Sequence, residues 1–172
     1  VIDGGEIIIP DNHTLTLVQS SRFIVYKGGT IKGNDIELTN ASGGSYNYNA
    51  GTMEIDDFHV NQEGAFYNCG TVRVDEMDFD SGCKFINQGK AYIGKTDSNI
   101  TIDNGCYLYA EEFVGTLNMG DTSSAEIEDF EGHSNKYNTR ITMGDNSMIT
   151  VLDEAELSQA QFMGPNNEYA LV

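Results

Sequence analysis

The feature that most constrains this chain is an internal repeat. Tyr26-Lys27-Gly28-Gly29-Thr30-Ile31 returns as Tyr48-Asn49-Ala50-Gly51-Thr52-Met53 and as Tyr67-Asn68-Cys69-Gly70-Thr71-Val72, and more loosely as Ile86-Asn87-Gln88-Gly89-Lys90-Ala91, at offsets of 22, 19 and 19 residues. The match runs on downstream, where Ile36 and Leu38 map to Phe58 and Val60 and then to Met77 and Phe79. Weaker copies bracket these, with Gly5-Glu6-Ile7 before them, Gly115-Thr116-Leu117-Asn118-Met119 after, and a degenerate Tyr137-Asn138 beyond.

Inside each unit the apolar residues alternate with period two. Met53 and Ile55 alternate with Thr52, Glu54 and Asp56, and Val72 and Val74 with Thr71, Arg73 and Asp75. A second alternating stretch follows, as in Phe58 and Val60, or Ile100 and Ile102. Alternation of this kind marks strands. Each unit therefore carries two strands, and a stretch such as Ala65-Phe66-Tyr67 adds a candidate third. A unit of about 20 residues without a helix cannot bury its own apolar side chains, so equivalent strands must stack about 4.8 Å apart around a shared core.

The expected fold is all-β, a single-stranded parallel β-helix of about seven irregular coils of roughly 19 to 26 residues. Its handedness is left open. A leucine-rich repeat needs a Leu ladder that is missing here, and a propeller blade needs about 40 residues and recurrent Trp-Asp pairs in a chain that has no Trp. Residues 1–172 read as one domain, with 1–24 an N-terminal coil or cap, 25–151 the main coils, and 152–172 a C-terminal coil or a connection to a following domain. The start at Val1, without Met or a signal-type run, reads as a mature or trimmed piece of a longer protein, and the apolar end Glu168 to Val172 as a lead into a further domain.

Stacking makes positional expectations. Asn49, Asn68 and Asn87 share one turn position, where side-chain amides one unit apart can bond and satisfy turn backbone. Gly51, Gly70 and Gly89 stack beside them, as a bend with positive φ or close backbone approach requires. Ile55, Val74 and Ile93 form one inward file. Around the next bend Gly64-Ala65, Gly82-Cys83 and Gly105-Cys106 align, so Cys83 and Cys106 are expected as stacked neighbours with Ala65, acting as small apolar fillers rather than a disulfide. Lys95 to Ser98 and Gly120 to Ser124 read as loop insertions, and Asp153 to Ala160 as a candidate helical turn.

Charge narrows the partners. Nine Lys and Arg against 27 Asp and Glu give a net charge of -18, which disfavours nucleic acid, and no run of about 18 apolar residues crosses a membrane. Monomer is the default reading. The acids stack outward: Asp56 on Asp75, Asp57 on Glu76, with Glu54 beside Arg73 and His59 beside Asp78. Carboxylates about 5 Å apart raise one another's pKa or invite a hard cation, which makes Asp56, Asp75, Asp57 and Glu76 weak candidates for calcium. The competing reading is a solvated acidic face, and no Asp-x-Asp-x-Asp-Gly loop lifts the metal reading above it.

Catalytic patterns are sparse. His13, His59 and His133 share no file, so no nucleophilic triad is assembled, and Gly28-Gly29-Thr30 and Gly43-Gly44-Ser45 precede no helix and read as turns rather than phosphate cradles. The outward file Thr30, Thr52, Thr71 is broken by Lys90 and makes no regular array. Arg73 among Glu54, Asp56, Asp75 and Glu76 is the nearest approach to a polysaccharide lyase or hydrolase cluster. Tyr92, Tyr107 and Tyr109 sit where tyrosines could stack on sugar rings.

The repeated Asn-x-Gly-Thr pattern, carried by Tyr48 to Ile55, Tyr67 to Val74 and, loosely, Ile86 to Ile93, resembles the Asn/Gly-rich β-solenoid segment of LruC-type cell-surface proteins of Gram-negative bacteria. The match covers roughly Phe23 to Ile102. The resemblance implies an exported protein at the cell exterior or outer-membrane surface, lipid-anchored through a segment before Val1, with this piece as a stalk-like or adhesive domain. It supplies no catalytic residues. The expectation is a non-enzymatic structural or adhesive module contacting glycans or surface proteins. A polysaccharide-active enzyme around Arg73 and a calcium-stiffened adhesion module are the alternatives.

Overall fold

The structure, a computed structural model, describes residues 1–18, 21–39, 47–61, 64–80, 82–131, 140–156 and 161–164. His133, Tyr137-Asn138, Gly43 to Ser45, Leu157 to Ala160 and Glu168 to Val172 lie outside the described residues. Every regular element among the described residues is a strand. The first coils hold β1 (Glu6–Val18) and β2 (Ile24–Val25), β3 (Thr30–Thr39) and β4 (Asn47–Asn49), then β5 (Thr52–Asn61) and β6 (Gly64–Asn68). The middle coils hold β7 (Thr71–Phe79) and β8 (Cys83–Asn87), then β9 (Lys90–Thr96) and β10 (Asn99–Ile102). β11 (Tyr107–Phe113), β12 (Thr116–Met119), β13 (Ser124–Glu131), β14 (Arg140–Thr142), β15 (Met148–Glu156) and β16 (Gln161–Met163) complete the stack.

Odd-numbered strands form one eight-stranded sheet and even-numbered strands a second, each in sequence order and parallel throughout. The chain is thus a parallel β-solenoid of about seven turns. Where the second stretch is Phe58 and Val60 or Met77 and Phe79, it continues the first in one strand bent at its middle, whereas Ile100 and Ile102 lie in a separate strand, β10. In β5, Met53 and Ile55 point inward, Asp56 and Asp57 both point outward, and Phe58 and Val60 point inward again. That doubled outward step is a corner, repeated at Asp75-Glu76 in β7. A coil has three sides, two from the long strand and the third from the short one.

The core is a set of files. Ile55, Val74 and Ile93 stack in register, as do Met53 and Val72, and Phe58 and Met77, all buried. Phe79, Ile100 and Ile102 are equally enclosed. Phe66 and Phe85 lie parallel at 6.0 Å, and Phe58 meets Phe66 edge-on at 4.8 Å, so rings from the short strands and from the second arm of the long strands interlock.

Buried amides hold one edge of this core. Asn49, Asn68 and Asn87 are fully enclosed. Asn49 Nδ2 donates to Asn68 Oδ1 at 2.9 Å, and Asn68 Nδ2 to Asn87 Oδ1 at 2.8 Å. The same amino groups donate to the carbonyls of Thr71 and Lys90, and each Oδ1 accepts the N–H of the glycine two residues on. At Asn68 both donors and both acceptor sites are filled, which makes a polar side chain tolerable in an apolar interior. Gly51, Gly70 and Gly89 are required by close approach rather than by positive φ, since a Cβ at Gly70 would stand 2.1 Å from the Gly51 carbonyl oxygen.

Four local expectations are corrected. Cys83 pairs with Gly64 and Ala65 with Lys84, while Cys106 lies before β11, so Cys83 and Cys106 occupy different sides of the coil, and no disulfide joins any of the three cysteines. The cause is a change of corner: after Asn87 the tight Asn-x-Gly turn gives way to four-residue corners at Asp103 to Cys106, Gly120 to Ser123 and Gly144 to Ser147. Gly105, Thr122 and Asn146 take positive φ at one position there, and Asp121 N–H donates to Asn104 Oδ1 as Asp145 N–H does to Asp121 Oδ1. Gly120 to Ser123 is such a corner and not a protruding loop. Lys95 and Thr96 end β9 and only Asp97-Ser98 connects it to β10, with Thr96 and Ser98 buried and Ser98 Oγ bonded to the backbone of Met77 and Phe79. Asp153 to Glu156 is strand, because pairing with β13 fixes an extended backbone where residue propensities favour helix.

Replacing Asn68 with Leu keeps the branched skeleton and strips four bonds from a closed interior, stranding donors and acceptors on both neighbouring coils. Asn68→Leu is expected to cost about 3 kcal/mol or more, measured by chemical denaturation. An unchanged midpoint would contradict the amide ladder.

Candidate functional site

Parallel pairing puts each outward residue beside its counterpart one coil away, so the exterior is organised in files. Thr30, Thr52, Thr71 and Lys90 form one. Lys32, Glu54, Arg73, Tyr92, Tyr109 and Glu126 form the next. Along the corner run Asp57, Glu76, Lys95, Glu112, Asp129 and Glu154. Asp56 and Asp75 occupy the position just before them, which Gly94 and Glu111 take in later coils.

The corner file is an electrostatic conflict. Asp57 has its carboxyl held above the ordinary range, first by partial burial and then by Asp35, Glu76, Asp56 and Asp75. Lys95 relieves the file further along, bonding Glu112 at 2.8 Å, and that bond in turn raises the ammonium's own pKa. Asp56, Asp57, Asp75 and Glu76 stand exposed at the same corner of two adjoining coils. Among the described residues no three His, Cys, Asp or Glu side chains are grouped to hold a metal ion.

The neighbouring file reorganises the cluster expected around Arg73. Glu54 stands beside Arg73 in the ladder but pairs with Lys32 at 3.8 Å, which also reaches Glu6 at 3.6 Å. Arg73 turns to the coil on its other side and lays its guanidinium 3.9 Å over the ring of Tyr92. Tyr109 donates its hydroxyl to Glu128 at 2.5 Å and Tyr107 to Glu126 at 2.9 Å. Both phenols are pushed up to about 12, Tyr109 chiefly by its bond to Glu128 and Tyr107 chiefly by burial.

Between these two files the surface dips. A concavity of about 740 Å³, open to solvent, is floored by Gly94, with Arg73, Tyr92 and Tyr109 along one side and Lys95 and Glu112 along the other. A Cβ at Gly94 would lie 2.5 Å from the Asp75 carbonyl oxygen, so the gap in the file is a product of backbone contact. A second, smaller hollow of about 290 Å³ lies among Asp35, Asp57, His59, Glu76 and Asp78. His59 faces Asp78 at 3.3 Å there and also contacts Asn61 Oδ1. His13 bonds the Asp11 carbonyl, coils away from the main concavity.

Tyr92, Tyr109 and Arg73 were each visible in the sequence as outward residues, but the hollow they border depends on Gly94. Its only signature is the missing acid between Asp75 and Glu111. Comparisons with protein-family models, curated proteins and solved structures find no match to this chain.

A raised carboxyl pKa in the folded state means the folded chain binds that proton more tightly than the unfolded chain. The stability tied to it is present below the unfolded carboxylate pKa and lost as pH rises through the folded value. Asp57→Asn should therefore raise the melting midpoint at neutral pH by about 1–2 °C. The gain should shrink in high salt and vanish as the carboxylates protonate. An equal gain in acid would locate the effect elsewhere.

Proposed function

We propose that this chain is a non-enzymatic structural and adhesive β-solenoid module of a bacterial cell-surface or secreted protein. It spaces or displays neighbouring domains and contacts glycans along its long-strand face. The observation that carries this reading is the unbroken coil-to-coil pairing of both sheets around a closed core. Seven steps at strand spacing make a stiff post of about 34 Å from β1 to β15, with the exterior side chains of the paired strands from β3 to β13 presented in files. The surface location and bacterial origin rest on the resemblance to LruC-type proteins.

A second reading is favoured by one observation, the collection of Arg73, Lys95 and several carboxylates around a single hollow. A polysaccharide lyase or hydrolase could use such a set, with Arg73 and a carboxylate acting on the substrate. Purified chain incubated with neutral and acidic polysaccharides should release no new reducing ends and no unsaturated uronate. Product that disappears in a well-folded Arg73→Ala variant would establish the enzyme instead. Antibody labelling of intact cells producing the full-length protein should stain without permeabilisation, and staining that needs lysis would overturn the surface reading.

A further inference from the structure

We infer that the hollow over Gly94 is a binding subsite for an uncharged pyranose unit of a glycan, lying across the coils along the solenoid axis; this rests on, and sharpens, the glycan-contacting part of the proposed function. The shape comes first. Gly94 sits between Asp75 and Glu111 in a file where its neighbours carry side chains, so the hollow is one side chain deep at its centre and its floor is backbone. At about 740 Å³ it falls within the roughly 300–1,000 Å³ range of small-ligand sites and has room for a short oligosaccharide.

The lining mixes three kinds of contact. Tyr109 offers ring surface, held in place by its hydroxyl bond to Glu128. Arg73 is fixed by stacking on Tyr92, and among the described residues its N–H groups have neither a hydrogen-bond acceptor nor an ion-pair partner, so they are oriented and ready to donate. Asp75, Glu111 and Asp129 accept no hydrogen bond from a described side chain and stand at the rim as acceptors. Aromatic surface, fixed donors and unused acceptors side by side match a ligand with an apolar ring face and hydroxyls around its edge.

Charge selects among sugars. Two cations against five carboxylates line the hollow, on a chain of net charge -18, which repels uronates and sulfated sugars. An amino sugar would be drawn by the same acids, but the aromatic face that could enclose its ammonium is taken. The face of Tyr92 that would receive its ammonium already holds Arg73, and Lys95 stands across the opening. An uncharged ring avoids both conflicts.

The test uses the intact chain and defined probes: neutral hexasaccharides of β-1,4-glucan, β-1,4-mannan, β-1,3-glucan and α-1,4-glucan, with oligogalacturonate and glucosamine oligomers as charged probes. Titration calorimetry and amide chemical shifts are read for each. At least one neutral probe is expected to bind and to shift the Gly94 and Tyr109 amides. Arg73→Ala and Tyr109→Ala should weaken it roughly tenfold or more, while Tyr26→Ala, on an exposed corner far from the hollow, leaves it within about twofold. Should Tyr109→Ala disturb folding, the wild-type shift map and Tyr109→Phe, which keeps the ring, decide the matter, the latter by retaining binding. Absence of neutral binding, shifts clustered away from Gly94, binding that survives both substitutions, or binding of charged probes alone would each overturn the inference. None of these results bears on the intact-cell labelling, so the subsite can fail while the display role stands.

Discussion

Everything in this molecule follows from the hydrogen bond that one coil makes to the next. Parallel pairing joins a residue to its counterpart about one unit later, so each side chain must be compatible with a neighbour of its own kind about 4.8 Å away. Apolar residues gain from this, because Ile55, Val74 and Ile93 become a column. Amides gain too, since the Asn side chain is the rare group whose donor and acceptor can be satisfied by a copy of itself. Carboxylates lose, and the corner from Asp57 to Glu154 shows the cost of repeating an acid where only Lys95 interrupts it.

The same rule explains which parts could be read from residues alone. Period-two alternation and the recurring Asn-x-Gly were legible because each repeats the local requirement of one position in a coil. The long strands were not, because a corner inside a strand looks like the end of one strand and the start of another until the ladder is seen to run through Asp56-Asp57. Cys106 was misplaced for a related reason. Gly82-Cys83 opens a short strand and Gly105-Cys106 closes a corner, so identical dipeptides serve two geometries, and only the pairing of Tyr107 with Lys90 separates them. At Asp153 to Glu156 a helix-favouring composition yields to pairing along an edge.

Candidate site chemistry was legible in kind but not in arrangement. Arg73 and the tyrosines stood out, yet nothing in their spacing told whether the guanidinium would turn toward Glu54 or Tyr92. The structure resolves this in favour of the ring, with Glu54 occupied by Lys32. The hollow itself comes from an omission, a glycine in a file of acids, and omissions carry little signal when the repeat is already irregular.

The change of corner after Asn87 divides the post into two grades of coupling. Up to that point adjoining coils share buried amides, so loosening one strands polar groups on the next and the coils open together. Beyond it the corners are held by solvent-facing bonds at Asn104, Asp121 and Asp145, which water can replace. A tensile or thermal load therefore meets two grades of material: coils beyond Asn87 can open singly, while those that share the enclosed asparagines must yield as a block.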